Sequence, residues 1–181
     1  MIDPLLSRVI AFGFAVLFIG AAWHKQSELD RFEAILRDYS LLPALTSRPL
    51  TLLIPAVELT LGLGWISGLL PRITALASAG LLATYALAMG INLVRGRIYI
   101  DCGCGFGAAS GREQPLSSAL VARNILLTGL VGLTFVPVAE RQLGGMDYLV
   151  VIVGLLTAIL LYAGSGQLIK NRAAINTWRK T

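Results

Sequence analysis

Residues 73–94 of the chain read ITALASAGLLATYALAMGINLV and contain no charged residue. A helix that crosses a bilayer needs about 20 consecutive, mostly apolar residues, so this stretch predicts a transmembrane helix. The whole chain has the same character, because 56% of its 181 residues are hydrophobic and only 14% are charged, whereas soluble domains usually carry about 25% charged residues. The composition indicates a polytopic membrane protein and excludes a disordered chain, a secreted disulfide scaffold and an ordinary cytosolic enzyme.

Four further apolar runs flank this stretch, at residues 5–23, 50–70, 119–138 and 148–169. We therefore expect an all-α fold, in which a single integral membrane domain over residues 1–181 forms a bundle of four to five transmembrane helices. The first run is expected to be a span and not a signal peptide. Residues 1–4 carry no positive charge, and the run exceeds the about 7–15 residues of a signal-peptide core.

The connection at residues 24–49 has the pattern of an amphipathic helix. Leu29, Phe32, Ile35 and Leu36 recur at helical spacing within a segment of mixed charge. Ser27 or Asp30 is expected to cap the start of this helix, and residues 41–43 are expected to end it. The segment therefore predicts a short helix that lies on the membrane surface.

Five crossings distribute the connections between two sides of the membrane. Side A holds the N-terminus, the turn at 71–72 and the loop at 139–147, whereas side B holds the 24–49 segment, the 95–118 connection and the C-terminal tail. Seven polar or thiol residues then belong to the side-B half of the bundle: His24, Lys25, Glu58, Cys102, Cys104, Arg123 and Asn124. The sequence thus predicts one polar region at one end of the bundle.

Charges inside a membrane usually face the bundle interior and pair with one another. We therefore expect Glu58 to pair with Arg123, with Lys25 as a second cation. The pair either fixes the packing of the helices or lines a polar pocket that opens toward the cysteines. His24, the single histidine of the chain, is either an interfacial residue or a proton acceptor for the thiols.

The cysteine connection, residues 95–118, holds both cysteines of the chain, separated by Gly103. A disulfide between residues i and i+2 needs a sharply bent backbone, which glycine permits, and the bond should be strained. Strained disulfides are the labile or catalytic ones, which favours a redox role for Cys102 and Cys104. Two alternatives stay open: a copper(I) site built on two thiolates, and a pair of inert thiols. Other metal centres are not expected, because they usually need three or four protein ligands.

Five motifs resemble those of the MauE family of methylamine utilisation proteins, within the wider group of DoxX-like redox-associated membrane proteins. They are Trp23-His24-Lys25, Tyr39-Ser40-Leu41-Leu42-Pro43, Pro55-Ala56-Val57-Glu58, Asp101-Cys102-Gly103-Cys104-Gly105-Phe106-Gly107 and Arg123-Asn124. The resemblance extends over nearly the whole chain. One departure is visible, since the family pattern Asp-Cys-Gly-Cys-Phe-Gly carries an additional Gly105 here.

The resemblance implies a multi-pass protein of the bacterial inner membrane that assists maturation of the exported small subunit of methylamine dehydrogenase. It implies thiol–disulfide exchange through Cys102 and Cys104 with a thioredoxin-like, MauD-type partner, as a component of a membrane thiol–disulfide oxidoreductase system. No cofactor is evident. By analogy with four-helix membrane thiol oxidases, a quinone is a candidate electron acceptor. Two other functions remain open: a non-enzymatic factor that binds or exports the client, and a small transporter built around Glu58 and Arg123.

The distribution of basic residues bears on orientation. The net charge of +5 comes from lysines and arginines that flank apolar runs, so it indicates membrane topology and not a nucleic-acid partner. Most of these cations belong to side B, and the positive-inside rule then places side B, with the cysteines, in the cytoplasm. The family resemblance implies the opposite, because the cysteines should face an exported client. We expect the exported face on the family resemblance alone.

Overall fold

A computed structural model describes residues 1–41, 44–98, 100, 116–139, 141 and 143–178, with side chains undescribed at 44–46, 170 and 172–178. This part of the chain contains six helices: α1 Pro4–Ser27, α2 Leu29–Tyr39, α3 Ala44–Ser67, α4 Pro71–Val94, α5 Ser118–Leu133 and α6 Gly145–Trp178. The predicted all-α membrane bundle is confirmed. Cys102 and Cys104 lie outside the described residues.

Four helices are long and apolar enough to cross a membrane, with apolar segments at Pro4–Ser27, Ser47–Ser67, Pro71–Val94 and Gly145–Ile169. Helix α5 is also apolar but has only 16 residues, equivalent to about 24 Å at 1.5 Å per residue. It ends at Leu133, earlier than the predicted boundary at residue 138. A residue that directly precedes a proline is disfavoured in helical backbone. Val136 precedes Pro137, which works against a helix that extends to residue 138.

Hydrogen bonds at the two ends of α5 define the direction in which it runs. The Leu116 amide donates to the Ile98 carbonyl at 2.9 Å, which joins the start of α5 to the end of α4. At the other end, Ile2 and Val138 form a parallel β-bridge in which the Ile2 amide donates to the Pro137 carbonyl at 3.0 Å. Helix α5 therefore begins beside the end of α4, and the segment that follows α5 ends beside the start of α1.

The bundle packs mainly through two helix pairs, α1 with α3 and α4 with α5, while α6 lies against α1. The apolar core between them is formed by Ile10, Phe14, Ala15, Phe18, Leu61, Trp65, Ala75, Leu82 and Val131. Phe14 stacks on Trp65 with ring centroids 5.5 Å apart. The Trp65 indole N–H donates to the Ser78 hydroxyl at 3.0 Å, so the one polar atom of this ring is satisfied inside the core.

Two glycines of α3 permit the close approach of its neighbours. A Cβ atom at Gly62 would lie 2.6 Å from Ile19 Cγ1 and 3.2 Å from the Ile19 backbone nitrogen, both on α1. A Cβ atom at Gly64 would lie 2.8 Å from Thr74 Oγ1 on α4. Helix association in lipid depends on such close packing because burial of apolar surface gives little driving force there.

Helix α2 confirms the amphipathic helix predicted in the first connection, although the expected cap was wrong. The residue that precedes the helix is Glu28, and it makes no side-chain cap hydrogen bond. Helix α1 continues through Ser27, whose hydroxyl donates back to the Trp23 carbonyl at 2.6 Å. Helix α2 ends at Tyr39, and Ser40 after it has a left-handed backbone with φ of 46°.

Candidate functional site

A buried ion pair joins the last turns of α1 to the middle of α3. Lys25 Nζ lies 2.6 Å from Glu58 Oε1, and the two side chains are 4% and 1% exposed. Charges this deeply buried are tolerated only when they are paired and hydrogen-bonded. The prediction that Glu58 pairs with a basic residue is correct in kind, but the partner is Lys25 and not Arg123.

Tyr85 of α4 completes this site, which we call the polar cluster: Lys25, Glu58 and Tyr85. The Tyr85 hydroxyl donates to Glu58 Oε1 at 2.8 Å. The Lys25 ammonium also lies 5.5 Å from the centroid of the Tyr85 ring and 5.6 Å from that of Phe32 in α2. Four helices therefore meet at one cation, and the aromatic rings contribute cation–π attraction to it.

Sequence reasoning assigned no role to Tyr85, although a signal was present. The residue lies in the middle of the uncharged stretch 73–94, where a phenol hydroxyl has no water to bond and needs a partner within the bundle. Tyrosines that anchor helices at the membrane surface lie near the ends of spans instead. A mid-span tyrosine therefore indicates a polar contact inside the bundle.

The second oxygen of Glu58 is unused. Oε1 accepts both the Lys25 and the Tyr85 hydrogen bonds, whereas Oε2 is buried and has no hydrogen-bond partner in the described part of the chain. A buried carboxylate oxygen without a donor is energetically costly. The polar cluster thus presents one vacant acceptor, which is suited to an O–H, N–H or S–H donor.

Pro55 removes one backbone hydrogen bond from the helix near Glu58. The two residues are separated by one helical turn and therefore share a face of α3, and Pro55 is fully buried within the helix. Proline has no amide hydrogen, so the Thr51 carbonyl loses its usual helical donor. The Pro-x-x-Glu motif consequently combines a locally weakened helix with a buried carboxylate.

The other predicted site residues lie elsewhere. Arg123 stands over the Tyr162 ring of α6, with its Cζ atom 4.9 Å from the ring centroid. Asn124 is buried, and its amide donates to the Leu120 carbonyl at 3.1 Å within α5. His24 is partly exposed in the last turn of α1. The structure therefore brings together Lys25 and Glu58 but not Arg123. Arg123 contacts Tyr162 of α6 instead, while the neighbouring Asn124 bonds within α5.

A second apolar cluster lies between the polar cluster and the cysteine connection. It consists of Met89, Ile100, Leu116 and Leu120, with Tyr85 packed against it. Ile100 and Leu116 are the described residues that flank the cysteine segment, and both are buried. Because Tyr85 contacts this cluster and also bonds Glu58, the polar cluster lies at the end of the bundle where the cysteine connection begins and ends.

No group of three or more histidine, cysteine or acidic side chains suited to a metal ion occurs among the described residues. The copper(I) alternative at Cys102 and Cys104 lies outside this part of the chain.

Comparison with known proteins decides the family. The family model described as methylamine utilisation protein MauE matches residues 3–137, well over half of the chain. The chain belongs to the MauE family. It is 38% identical to the methylamine utilization protein MauE of Paracoccus denitrificans over 72% of this chain and 68% of that protein. No solved structure matches it.

Two further MauE relatives match a larger share of the chain. The protein of Paracoccus versutus is 34% identical over 92% of this chain and 88% of its own length. The protein of Methylorubrum extorquens is 29% identical over 90% of this chain and 87% of its own length. The protein is thus a MauE-family membrane protein of methylamine utilisation.

Proposed function

We propose that this MauE-family protein assists maturation of the methylamine dehydrogenase small subunit, by thiol–disulfide exchange through Cys102 and Cys104. The observation that carries the proposal is the buried polar cluster at the end of the bundle that holds the cysteine connection. Ile100 precedes Cys102 by two residues in the sequence. Ile100 packs in the same apolar cluster as Tyr85, which bonds Glu58.

The exchange reaction is balanced without an external redox agent. A thiolate of one partner attacks the Cys102–Cys104 disulfide and forms a mixed disulfide, and a second thiolate of that partner then resolves it. One disulfide and two thiols are consumed, and one disulfide and two thiols are formed. The reverse reaction transfers a disulfide in the opposite direction through the same intermediate.

The polar cluster supports this chemistry through Glu58. Its Oε2 oxygen has no hydrogen-bond partner among the described residues and can accept a hydrogen bond from a thiol. Lys25 holds the carboxylate in place through the buried ion pair. In this proposal Glu58 and Lys25 are positioning residues, while the bond-forming atoms are the two sulfurs.

The partners and location are part of the same proposal. A thioredoxin-like, MauD-type protein exchanges disulfides with the cysteine pair, and the client is the exported small subunit. The protein lies in the bacterial inner membrane with Cys102 and Cys104 toward the exported face. A quinone is the proposed electron acceptor of the wider system. The transporter alternative is less well supported, because Glu58 and Arg123, around which it was built, do not pair among the described residues.

The decisive test replaces each cysteine. We expect Cys102→Ser and Cys104→Ser to abolish maturation of the small subunit while the membrane protein accumulates at the normal level. Disulfide formation in the client is followed by non-reducing electrophoresis after thiol alkylation, with Ser118→Ala, in the exposed start of α5, as the matched control. Normal client disulfides in both cysteine variants would support the non-enzymatic export factor instead.

A labelling experiment tests the exported-face orientation. The chain has two cysteines, so a membrane-impermeant maleimide applied to spheroplasts reports on this pair without mutagenesis. We expect labelling of intact spheroplasts after reduction and little labelling before it. Labelling that requires lysis would place the pair in the cytoplasm, in agreement with the positive-inside count, and would overturn the exported-client mechanism.

A further inference from the structure

Arg123 is a cation near the start of α5 that pairs with no carboxylate of the described residues. Among the described residues no acidic side chain lies within ion-pair distance of it, because Glu58 is bound to Lys25 and the remaining pairs involve other arginines. Its Nε atom is buried and has no hydrogen-bond partner in the described part of the chain. An arginine at membrane depth usually pairs with an anion or a backbone carbonyl, and the described residues do not supply an anion for this guanidinium.

Arg123 lies beside two residues of α6, Tyr162 and Gly166. The guanidinium stands over the Tyr162 ring at 4.9 Å. One turn further along α6, a Cβ atom at Gly166 would lie 3.9 Å from Arg123 Nη1. Glycine at this position leaves the terminal nitrogen of the guanidinium uncovered by a side chain. Tyr162 therefore fixes the plane of the guanidinium, while Gly166 keeps its edge accessible.

Arg123, Tyr162 and Gly166 lie near the side-B ends of α5 and of the apolar part of α6. Arg123 is five residues after the start of α5, about 8 Å along the helix, and Tyr162 and Gly166 lie in the last two turns of the apolar segment Gly145–Ile169. The lipid-facing character of α6 is evident from Leu160, Leu161 and Leu168, which are 66–72% exposed. A phospholipid in the side-B leaflet can therefore reach the guanidinium from the side, with its acyl chains along α6.

We propose that Arg123, Tyr162 and Gly166 form a binding site for the phosphate of an anionic phospholipid in the side-B leaflet. The planar guanidinium matches phosphate oxygens in a two-bond geometry, and basic pockets between transmembrane helices are known to bind anionic headgroups. The phosphate supplies the negative charge and the acceptor that Arg123 lacks. The site is separate from the polar cluster and does not depend on the cysteines.

Native mass spectrometry of the full-length protein in detergent tests this site, with dioleoyl phosphatidylglycerol as the probe. We expect Arg123→Gln to bind this lipid about tenfold more weakly, as expected for the loss of a charge-assisted pair of hydrogen bonds. Arg72→Gln removes the same charge at the exposed turn on side A and should bind normally. Equal binding by wild type and Arg123→Gln would overturn the proposal.

Further variants and probes separate the proposal from its alternatives. Gly166→Leu keeps the charge but covers the edge of the guanidinium, so it should also weaken binding even if Arg123→Gln fails to fold. Zwitterionic dioleoyl phosphatidylcholine should bind more weakly than phosphatidylglycerol. Retention of phosphatidylglycerol by Gly166→Leu, or its displacement by millimolar inorganic phosphate, would contradict a lipid-specific site.

Discussion

The apolar core and the polar cluster are joined by the same helices but are stabilised by different forces. In the core, Phe14, Phe18 and Trp65 pack between α1 and α3, and the hydroxyl of Ser78 serves the one polar ring atom. In the polar cluster, Lys25 and Glu58 bring opposite charges together at full burial, and one carboxylate oxygen has no hydrogen-bond partner among the described residues. A bundle that needed only stability would not require the second arrangement, since buried ion pairs contribute little net stability compared with well-packed apolar residues.

The apolar core and the polar cluster therefore have different roles in the bundle. Packing in the core holds α1 against α3, which places Lys25 beside Glu58. The polar cluster then retains a vacant acceptor next to the apolar cluster that carries Ile100 and Leu116. Substitutions in the core should therefore affect stability alone, while substitutions in the polar cluster should affect function as well.

The largest effect is expected from Lys25→Met. Removal of one partner leaves a buried, uncompensated carboxylate, which typically costs about 3–5 kcal/mol. Thermal unfolding of the purified protein in detergent measures the loss. The double variant Lys25→Met/Glu58→Gln should recover most of the lost stability, because no unpaired charge remains. A double variant as unstable as the single one would show that packing, and not charge, dominates at this site.

A growth assay separates the polar cluster from the apolar core more clearly than a measurement of thermal unfolding does. The same double variant should fold but fail to support growth on methylamine in a methylotrophic host that lacks its own copy, because the acceptor carboxylate is gone. Growth at the wild-type rate, with normal accumulation in the membrane, would reduce the polar cluster to a structural ion pair.

Phe18→Ala tests the core in the same assays. Phe18 is 1% exposed, and loss of a buried phenylalanine costs about 3–5 kcal/mol in soluble proteins. We expect the lower part of this range, because lipid is as apolar as the core and the penalty comes mainly from lost packing. Growth on methylamine per folded molecule should be unchanged, and a disproportionate loss of growth would break the proposed division between the two regions.

Two glycines offer a smaller and opposite pair of effects. Gly62→Ala drives a Cβ atom against Ile19 and should destabilise the α1–α3 contact by about 1–3 kcal/mol. Gly80→Ala on α4 meets no atom within 4 Å and should stabilise its helix by about 0.5–1 kcal/mol. The two unfolding temperatures should shift in opposite directions, and a shift in the same direction would contradict the close packing at Gly62.

Two hydroxyl contacts offer a further pair of effects. Tyr85→Phe removes one hydrogen bond to a charged group, worth about 1.5–3 kcal/mol, and Ser78→Ala removes a neutral one to Trp65, worth about 0.5–1.5 kcal/mol. Only Tyr85→Phe should also slow growth on methylamine, because only Tyr85 bonds Glu58. Equal growth of the two variants would show that Tyr85 contributes to stability and not to function.

Much of the architecture could be predicted from hydropathy. The uncharged stretch 73–94 and the first run coincide with α4 and α1, because about 20 apolar residues have few alternatives to a spanning helix. Boundaries were less accurate where polar residues are buried: α3 begins at Ala44, before the predicted residue 50, and Ser47 and Thr51 are among its buried positions. Hydropathy does not register helical turns that carry polar residues, such as Ser47 and Arg48, ahead of the apolar run.

The sequence by itself determined the membrane character, the helices, the family motifs and the end of the bundle where the polar residues gather. These properties depend on length, composition and position along each helix, all of which follow directly from the linear amino-acid sequence. Only the tertiary structure decided that Glu58 binds Lys25 and Tyr85, while Arg123 turns toward Tyr162. The choice depends on the rotation of each helix about its own axis, and in lipid that rotation is set by close packing at residues such as Gly62, which hydropathy does not encode.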